Sequence, residues 1–271
     1  MLKNKRKKRG LPLFPLFPRI LITRPEEKSS VFAEKLKSLG ARPVLLPLTQ
    51  ILPPNSFRLM DESLKKWNDF DIVIFTSALA VQFFLSRAKD LSLRLSQPKI
   101  LYAIGPQTQQ ALKAAGFLKV KMPSEFRAEG LLKELKNVQG LKILIPRAKE
   151  AREILPQTLR KRGARVQVPA VYQVVPHQKY LLRLKRMSEK DFDAVVFASG
   201  RSVKEFVKAF GLLKSRKLFS KKAAVCIGSV TAEVLRSFGI SAVQSQSPDQ
   251  AGLIAALEKV LLGEKCGNNN Q

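Results

Sequence analysis

The 271-residue sequence predicts an α/β protein, with two doubly wound parallel-sheet domains from a tandem duplication joined by a two-stranded extended linker and a cleft between them. Three observations predict this. The first is a long internal echo. "FDIVIFTSALAVQFF" from Phe70 returns as "FDAVVFASGRSVKEF" from Phe192. "YAIGPQTQQALKAAGF" from Tyr102 returns as "VCIGSVTAEVLRSFGI" from Val225, and "ILITRP" from Ile20 as "ILIPRA" from Ile143, each 123 residues on. Random sequence does not hold such a register, so the copies run roughly from 20 to 142 and from 143 to 263. The second observation is alternation. Short runs apolar throughout, the mark of strands covered on both faces, alternate with segments whose apolar residues recur at three and four. The third is a pair of proline-bearing stretches at equivalent places in the two copies, too long for an average strand.

In chain order, "MLKNKRKKRGLPLFPLFPR" comes first. Lys3, Lys5, Arg6, Lys7, Lys8, Arg9 and Arg19 carry its charge with no acid to offset them. Pro12, Pro15 and Pro18 interrupt its apolar stretch and no small-residue cleavage site follows, which speaks against a secretory signal and predicts a flexible basic extension over residues 1–19, with an organelle address or a nucleic-acid arm as the alternatives. "ILIT", "PVLLPL", "DIVIF" and "LYAIG" read as strands of the first copy, and "SVFAEKLKSLG" and "QTQQALKAAG" as helices. Gly40, Gly116, Gly163 and Gly239 stand where a helix ends in a left-handed cap. "ARPVLLPLTQILPP" and "ARVQVPAVYQVVPH" read as extended connectors between globules. The chain then crosses twice, giving one discontinuous domain from residues 20–50 plus 176–262, a second over 54–169, and a flexible tail over 263–271. A plain split at residue 142 is the alternative.

Composition narrows the chemistry. The 49 Lys plus Arg against 21 Asp plus Glu leave a net charge of +28, which attracts polyanions, and less so as salt rises. No apolar run approaches the roughly 18 residues that a membrane-spanning helix needs. Cys226 and Cys266 are too few for a disulfide framework or a metal cluster, which fits a reducing, cytoplasmic compartment. No carboxylates or ligand residues have metal spacing, so no metal is expected. The sole histidine, His177, lies on the second connector without a suggested partner, so a His-paired nucleophile is not indicated.

The candidate site residues lie at strand ends. Right-handed crossovers bring every strand-to-helix turn to the carboxyl edge of a parallel sheet. Ser77 and Ser199 occupy two such turns, Gly105 with Thr108 a third, and Gly228 with Ser229 and Thr231 a fourth. Their hydroxyls can cap helices, or the turns can seat a carboxylate or phosphate. Arg24 and Arg147 end the first strand of each copy, with Lys149 and Arg152 after the second, either as carboxylate binders or as solvated charges. Tyr172 stands on the second connector where the repeat has Thr49, either as a phenol donating into the cleft or as a half-buried strand residue.

With "ILITRP", "FDIVIFTSALAV", "AIGPQTQQALKAAG", "EILPQTLRKRGARVQVPAVYQ", "FDAVVFASGRSV" and "IGSVTAEVLRSFGI" in this order, the sequence from Ile20 to about Leu262 resembles uroporphyrinogen-III synthases. The resemblance implies a monomeric, cofactor-free lyase of tetrapyrrole biosynthesis. Its two α/β domains would bind hydroxymethylbilane, a linear tetrapyrrole with eight carboxylates, and close it with inversion of the last pyrrole. The resemblance implicates Tyr172 in hydroxide departure and Thr108, Thr231, Ser77 and Ser199 in substrate contact. "FTSALAV" lacks the polar residue frequent after that turn, and Gly200 stands where proline is frequent. Two rival readings, a non-catalytic two-lobed anion sensor and a basic nucleic-acid-binding protein, share the charge. No zinc motif or basic aromatic strip supports the second.

Overall fold

The computed structural model describes residues 17–25, 29–247 and 249–262. Residues 1–16 of the expected basic extension and the tail over 263–271 lie outside the described residues. Arg19, counted with that extension on sequence alone, is instead the first residue of a strand. Asp193 accepts from its amide at 2.8 Å and from its guanidinium at 3.3 Å, which draws it into the sheet.

Twelve strands are described: β1 (Arg19–Ile22), β2 (Arg42–Leu45), β3 (Thr49–Leu52), β4 (Ile72–Phe75), β5 (Ile100–Ala103), β6 (Lys142–Leu144), β7 (Arg147–Ala148), β8 (Arg165–Gln167), β9 (Ala170–Pro176), β10 (Ala194–Phe197), β11 (Ala223–Cys226) and β12 (Val243–Gln244). The α-helices are α1 (Ser30–Ser38), α2 (Arg58–Lys65), α3 (Ala78–Asp90), α4 (Pro106–Ala114), α5 (Ala128–Glu134), α6 (Ile154–Lys161), α7 (Gln178–Arg186), α8 (Gly200–Phe210), α9 (Leu212–Phe219), α10 (Ser229–Ser237) and α11 (Gln250–Leu261). Among the described residues no helix is long and apolar enough to cross a membrane. Gly40, Gly116, Gly163 and Gly239 all take positive φ after a helix, the conformation expected of them.

The chain divides into two compact units, residues 1–50 with 175–271 and residues 51–174. Unit 1 holds the parallel sheet β12-β11-β10-β1-β2, with Ile20, Leu21 and Ile22 opposite Ala194, Val195 and Val196. Side chains alternate across it. Leu21, Val195 and Phe197 pack with Phe206, Leu218 and Leu235 on one face, while Ile20, Ile22 and Val196 pack with Phe32, Leu253 and Leu257 on the other. Unit 2 holds the parallel sheet β5-β4-β6-β8, buried in the same way between Phe75, Phe84 and Trp67 on one face and Ile74, Leu131 and Leu159 on the other. Each buried Leu, Val, Ile or Phe side chain contributes about 1.5–3 kcal/mol of hydrophobic stabilisation. The uniformly apolar runs of β4 and β10 exist because both of their faces are covered.

The first half of each expected connector is an edge strand of a larger sheet, β2 in unit 1 and β8 in unit 2, while the second halves, β3 and β9, form a third sheet with β7 in the order β3-β9-β7. It has three strands rather than the expected two because "RA" at Arg147 leaves the β6 line after Pro146 and pairs in parallel with β9, Arg147 opposite Ala170.

Gly200 shows why proline is not required at that turn. It opens α8 where α8 meets α10, and a Cβ there would lie 2.8 Å from Val234 Cγ2. Valine in a helix is held to one rotamer and cannot swing away. Replacing glycine by alanine gains under about 1 kcal/mol of helix propensity, whereas overpacking costs about 1–3 kcal/mol. Gly200→Ala is therefore expected to lower the urea unfolding midpoint, and Gly200→Ala with Val234→Ala to recover part of the loss.

Candidate active site

Strand register decides which turns are neighbours. In unit 2, Phe75 lies opposite Ala103 and Ile104 N–H donates to Phe75 O at 2.9 Å, so the turn carrying Ser77 runs beside the turn carrying Gly105. Unit 1 repeats this arrangement. Phe197 lies opposite Cys226 and Ile227 N–H donates to Phe197 O at 3.1 Å, which sets the Ser199 turn beside Gly228 and Ser229. On its other side β10 pairs with β1, so the turn carrying Arg24 is also adjacent. Both sets lie at the carboxyl edge of their own sheet, where ligands of doubly wound folds bind.

Tyr172 has the most distinctive surroundings. Only 8% exposed, it packs in the unit 2 core, with its ring centroid 5.4 Å from that of Phe83 at an interplanar angle of 31°. Its hydroxyl lies 3.5 Å from Ser77 Oγ, at the limit of a hydrogen bond. Ser77 Oγ in turn accepts from Ala80 N–H at 3.1 Å, capping α3. A strand tyrosine thus has an apolar body locked in the core and a hydroxyl at the sheet edge that, among the described residues, makes one long contact. Such a phenol can donate to an incoming oxygen. Sequence reasoning missed Phe83, because nothing along the chain marks it as the ring partner of a residue so far away.

The hydroxyls divide into two groups. Ser199 Oγ accepts from Ser202 N–H at 3.2 Å, so both serines cap their helices as expected. Thr108 and Thr231 do not. The N-caps of α4 and α10 are Gly105 and Gly228, without side-chain cap bonds, and both threonines are buried at 4% exposure within the first helical turn. They shape the wall behind each turn, while Ser229 is exposed at its front.

The cations also separate. Arg147 is buried, and its guanidinium donates to Glu153 and, at 2.6 Å, to Arg152 O. Its place in β7 and these partners make it a structural arginine rather than a free carboxylate binder. Lys149 and Arg152 are exposed beside it, and Lys149 N–H donates to Tyr172 O at 2.9 Å. Arg24 is half-buried over the Phe32 ring, 5.4 Å from its centroid, and burial lowers its pKa from the ordinary value. The His177 ring packs edge-on against that of Tyr180, with centroids 4.6 Å apart.

The two glycine turns share the sequence "IG" but not a conformation. Gly105 has φ 105° and ψ 159°, a region essentially restricted to glycine, where a side chain costs about 1–3 kcal/mol. Gly228, at φ 173° and ψ −179°, is simply extended. Gly105→Ala is expected to lower the unfolding free energy by about 1–3 kcal/mol, read as a lower urea midpoint at unchanged m-value, whereas Gly228→Ala carries no such backbone cost. Unfolding curves of the two variants side by side check this.

The family model described as Uroporphyrinogen-III synthase HemD matches residues 30–255. A uroporphyrinogen-III synthase from Synechococcus elongatus is 32% identical, over 89% of this chain and 94% of that protein. One from Escherichia coli is 27% identical, over 69% of this chain and 77% of its own. In fold, the chain resembles a crystal structure of a mutant uroporphyrinogen III synthase from Thermus thermophilus, with a TM-score of 0.73 at 21% identity over 91% of this chain and all of that one. The chain belongs to the uroporphyrinogen-III synthase family, enzymes of tetrapyrrole biosynthesis.

Proposed function

We propose that this chain converts linear hydroxymethylbilane to uroporphyrinogen III and one water, with inversion of the terminal pyrrole ring. The observation that carries the reading is the Tyr172 hydroxyl beside Ser77 at the carboxyl edge of unit 2, in a chain of this family. Tyr172 donates a hydrogen bond to the departing hydroxyl, and the electron-rich pyrrole expels it to leave an azafulvene. Attack at the substituted carbon of the terminal ring gives a spiro intermediate, which reopens and recloses with that ring inverted. The substrate supplies its own electron push, so the protein's task is chiefly orientation, suppressing the uninverted closure.

Substrate contact is assigned to Ser77 and Gly105 in unit 2, with the exposed Lys149 and Arg152, and to Arg24, Ser199, Gly228 and Ser229 in unit 1, while the buried Thr108 and Thr231, expected to touch substrate, support the turns from behind. The three cations among these groups, Arg24, Lys149 and Arg152, can each engage one of the substrate's eight carboxylates. In this reading the enzyme works as a cytoplasmic monomer without a cofactor.

Freshly made hydroxymethylbilane, incubated with the protein and resolved by chromatography, is expected to yield the type III isomer. Exclusive formation of the symmetrical type I isomer would refute the assignment. Tyr172→Phe is expected to keep the wild-type melting temperature and to lower kcat by up to about 10²-fold, the lower end of what a positioned acid supplies. A wild-type kcat would return Tyr172 to a packing role. The Michaelis constant is expected to rise with ionic strength, measured between low and physiological salt, as counter-ions screen the cation–carboxylate attraction.

A further inference from the structure

Two arginines at the carboxyl edge of the unit 1 sheet have unfinished hydrogen bonding. Arg24 follows β1, and Arg201 stands in the first turn of α8, directly after β10. The turns are held together by Thr23, whose N–H and Oγ1 both donate to Val196 O, at 3.3 and 2.8 Å. Arg24 Nη1 and Arg201 Nε are buried and have no hydrogen-bond partner among the described residues. Neither arginine forms an ion pair with a described carboxylate.

Leaving a buried donor unbonded costs more than a hydrogen bond ordinarily contributes, and a guanidinium cannot escape by losing its proton. Such donors are tolerated where an acceptor arrives to complete them. The duplication provides an internal comparison. In unit 2 the counterpart of Arg24 is Arg147, whose donors are engaged by Glu153 and Arg152 O. The counterpart of Arg201 is Leu79, packed against the apolar core. Among the described residues, the two copies thus keep buried, unbonded guanidinium donors only at this edge of unit 1.

We propose that Arg24 and Arg201 form a carboxylate-binding subsite in unit 1 that holds acid side chains of the linear tetrapyrrole. This rests on the function proposed above and adds Arg201 to it as a residue that sets affinity for acidic substituents. The planar guanidinium fork matches a carboxylate better than an ammonium does, and burial strengthens the bond by excluding competing water.

The experiment measures Arg24→Gln, Arg201→Gln and Arg201→Lys in two ways. In turnover, each glutamine variant is expected to raise KM about tenfold, the scale of one lost charge-assisted hydrogen bond, with kcat within about twofold and an unchanged melting temperature. In binding, fluorescence quenching by uroporphyrin III, the oxidised octacarboxylate form of the expected product, needs no catalysis. Its Kd is expected to weaken by a similar factor. Arg201→Lys keeps the charge without the fork, so an intermediate Kd is expected, and it serves as the test if the glutamine variant does not fold. Wild-type Kd and KM in either glutamine variant, or a wild-type Kd in Arg201→Lys, would overturn the subsite. A wild-type protein that gives only the type I isomer, yet binds uroporphyrin III in a manner weakened by Arg201→Gln, would refute the reaction and uphold the subsite.

Discussion

Parallel pairing of β1 with β10, and of β4 with β6, is the interaction on which the rest of the structure depends. Each pairing joins a strand of one copy of the repeat to a strand of the other. The unit 1 order β12-β11-β10-β1-β2 has its counterpart in unit 2, where Lys121, which bridges Tyr102, is followed by β5-β4-β6-β8. Neither copy alone could cover both faces of its strands. Runs such as "IVIF" and "AVVF" would expose their side chains, at a cost of the order of their whole hydrophobic gain. The chain must therefore pass from one unit to the other and back, and it does so through β3 and β9.

The same pairing distributes the chemistry. Because all strands of a sheet point one way, their turns collect at one edge, and each hydrogen bond from a turn back to the neighbouring strand fixes which turns touch. Within that shared frame the copies have diverged. Tyr172 replaces Thr49, which is buried in β3, and Arg201 replaces Leu79. Gly105 uses a backbone region closed to other residues while Gly228 does not. The duplication supplies the frame, and within it the two copies now differ at these positions.

Several acidic residues hold the fold together. Asp61 takes two 2.8 Å bonds from Arg87, which hold its carboxyl below the ordinary range and tie α2 to α3. Asp71 joins Lys99 to the Lys142 backbone, and Asp193 receives Arg19. With 21 acids against 49 bases, engaging the acids in this way leaves a surplus of cations facing solvent or ligand. A substrate with many carboxylates is a suitable partner for such a surface.

By itself the sequence determined the duplication, the alternation of buried strands and helices, the glycine helix ends and the family, since each is a property of pattern along the chain. It also placed Tyr172 and Ser77 among the candidates, because strand ends and breaks in the repeat can be read from spacing. The repeat held one further signal that went unused, the mismatch of Arg201 with Leu79. Only the tertiary structure decided that a third strand, β7, joins the connector strands β3 and β9, that Thr108 and Thr231 are buried behind glycine caps, and that Arg147 is consumed by Glu153 while Arg24 is not. The physical reason is that hydrogen-bond partnership and burial depend on which distant segments meet. Equivalent letters in two copies acquire different neighbours once the copies exchange strands.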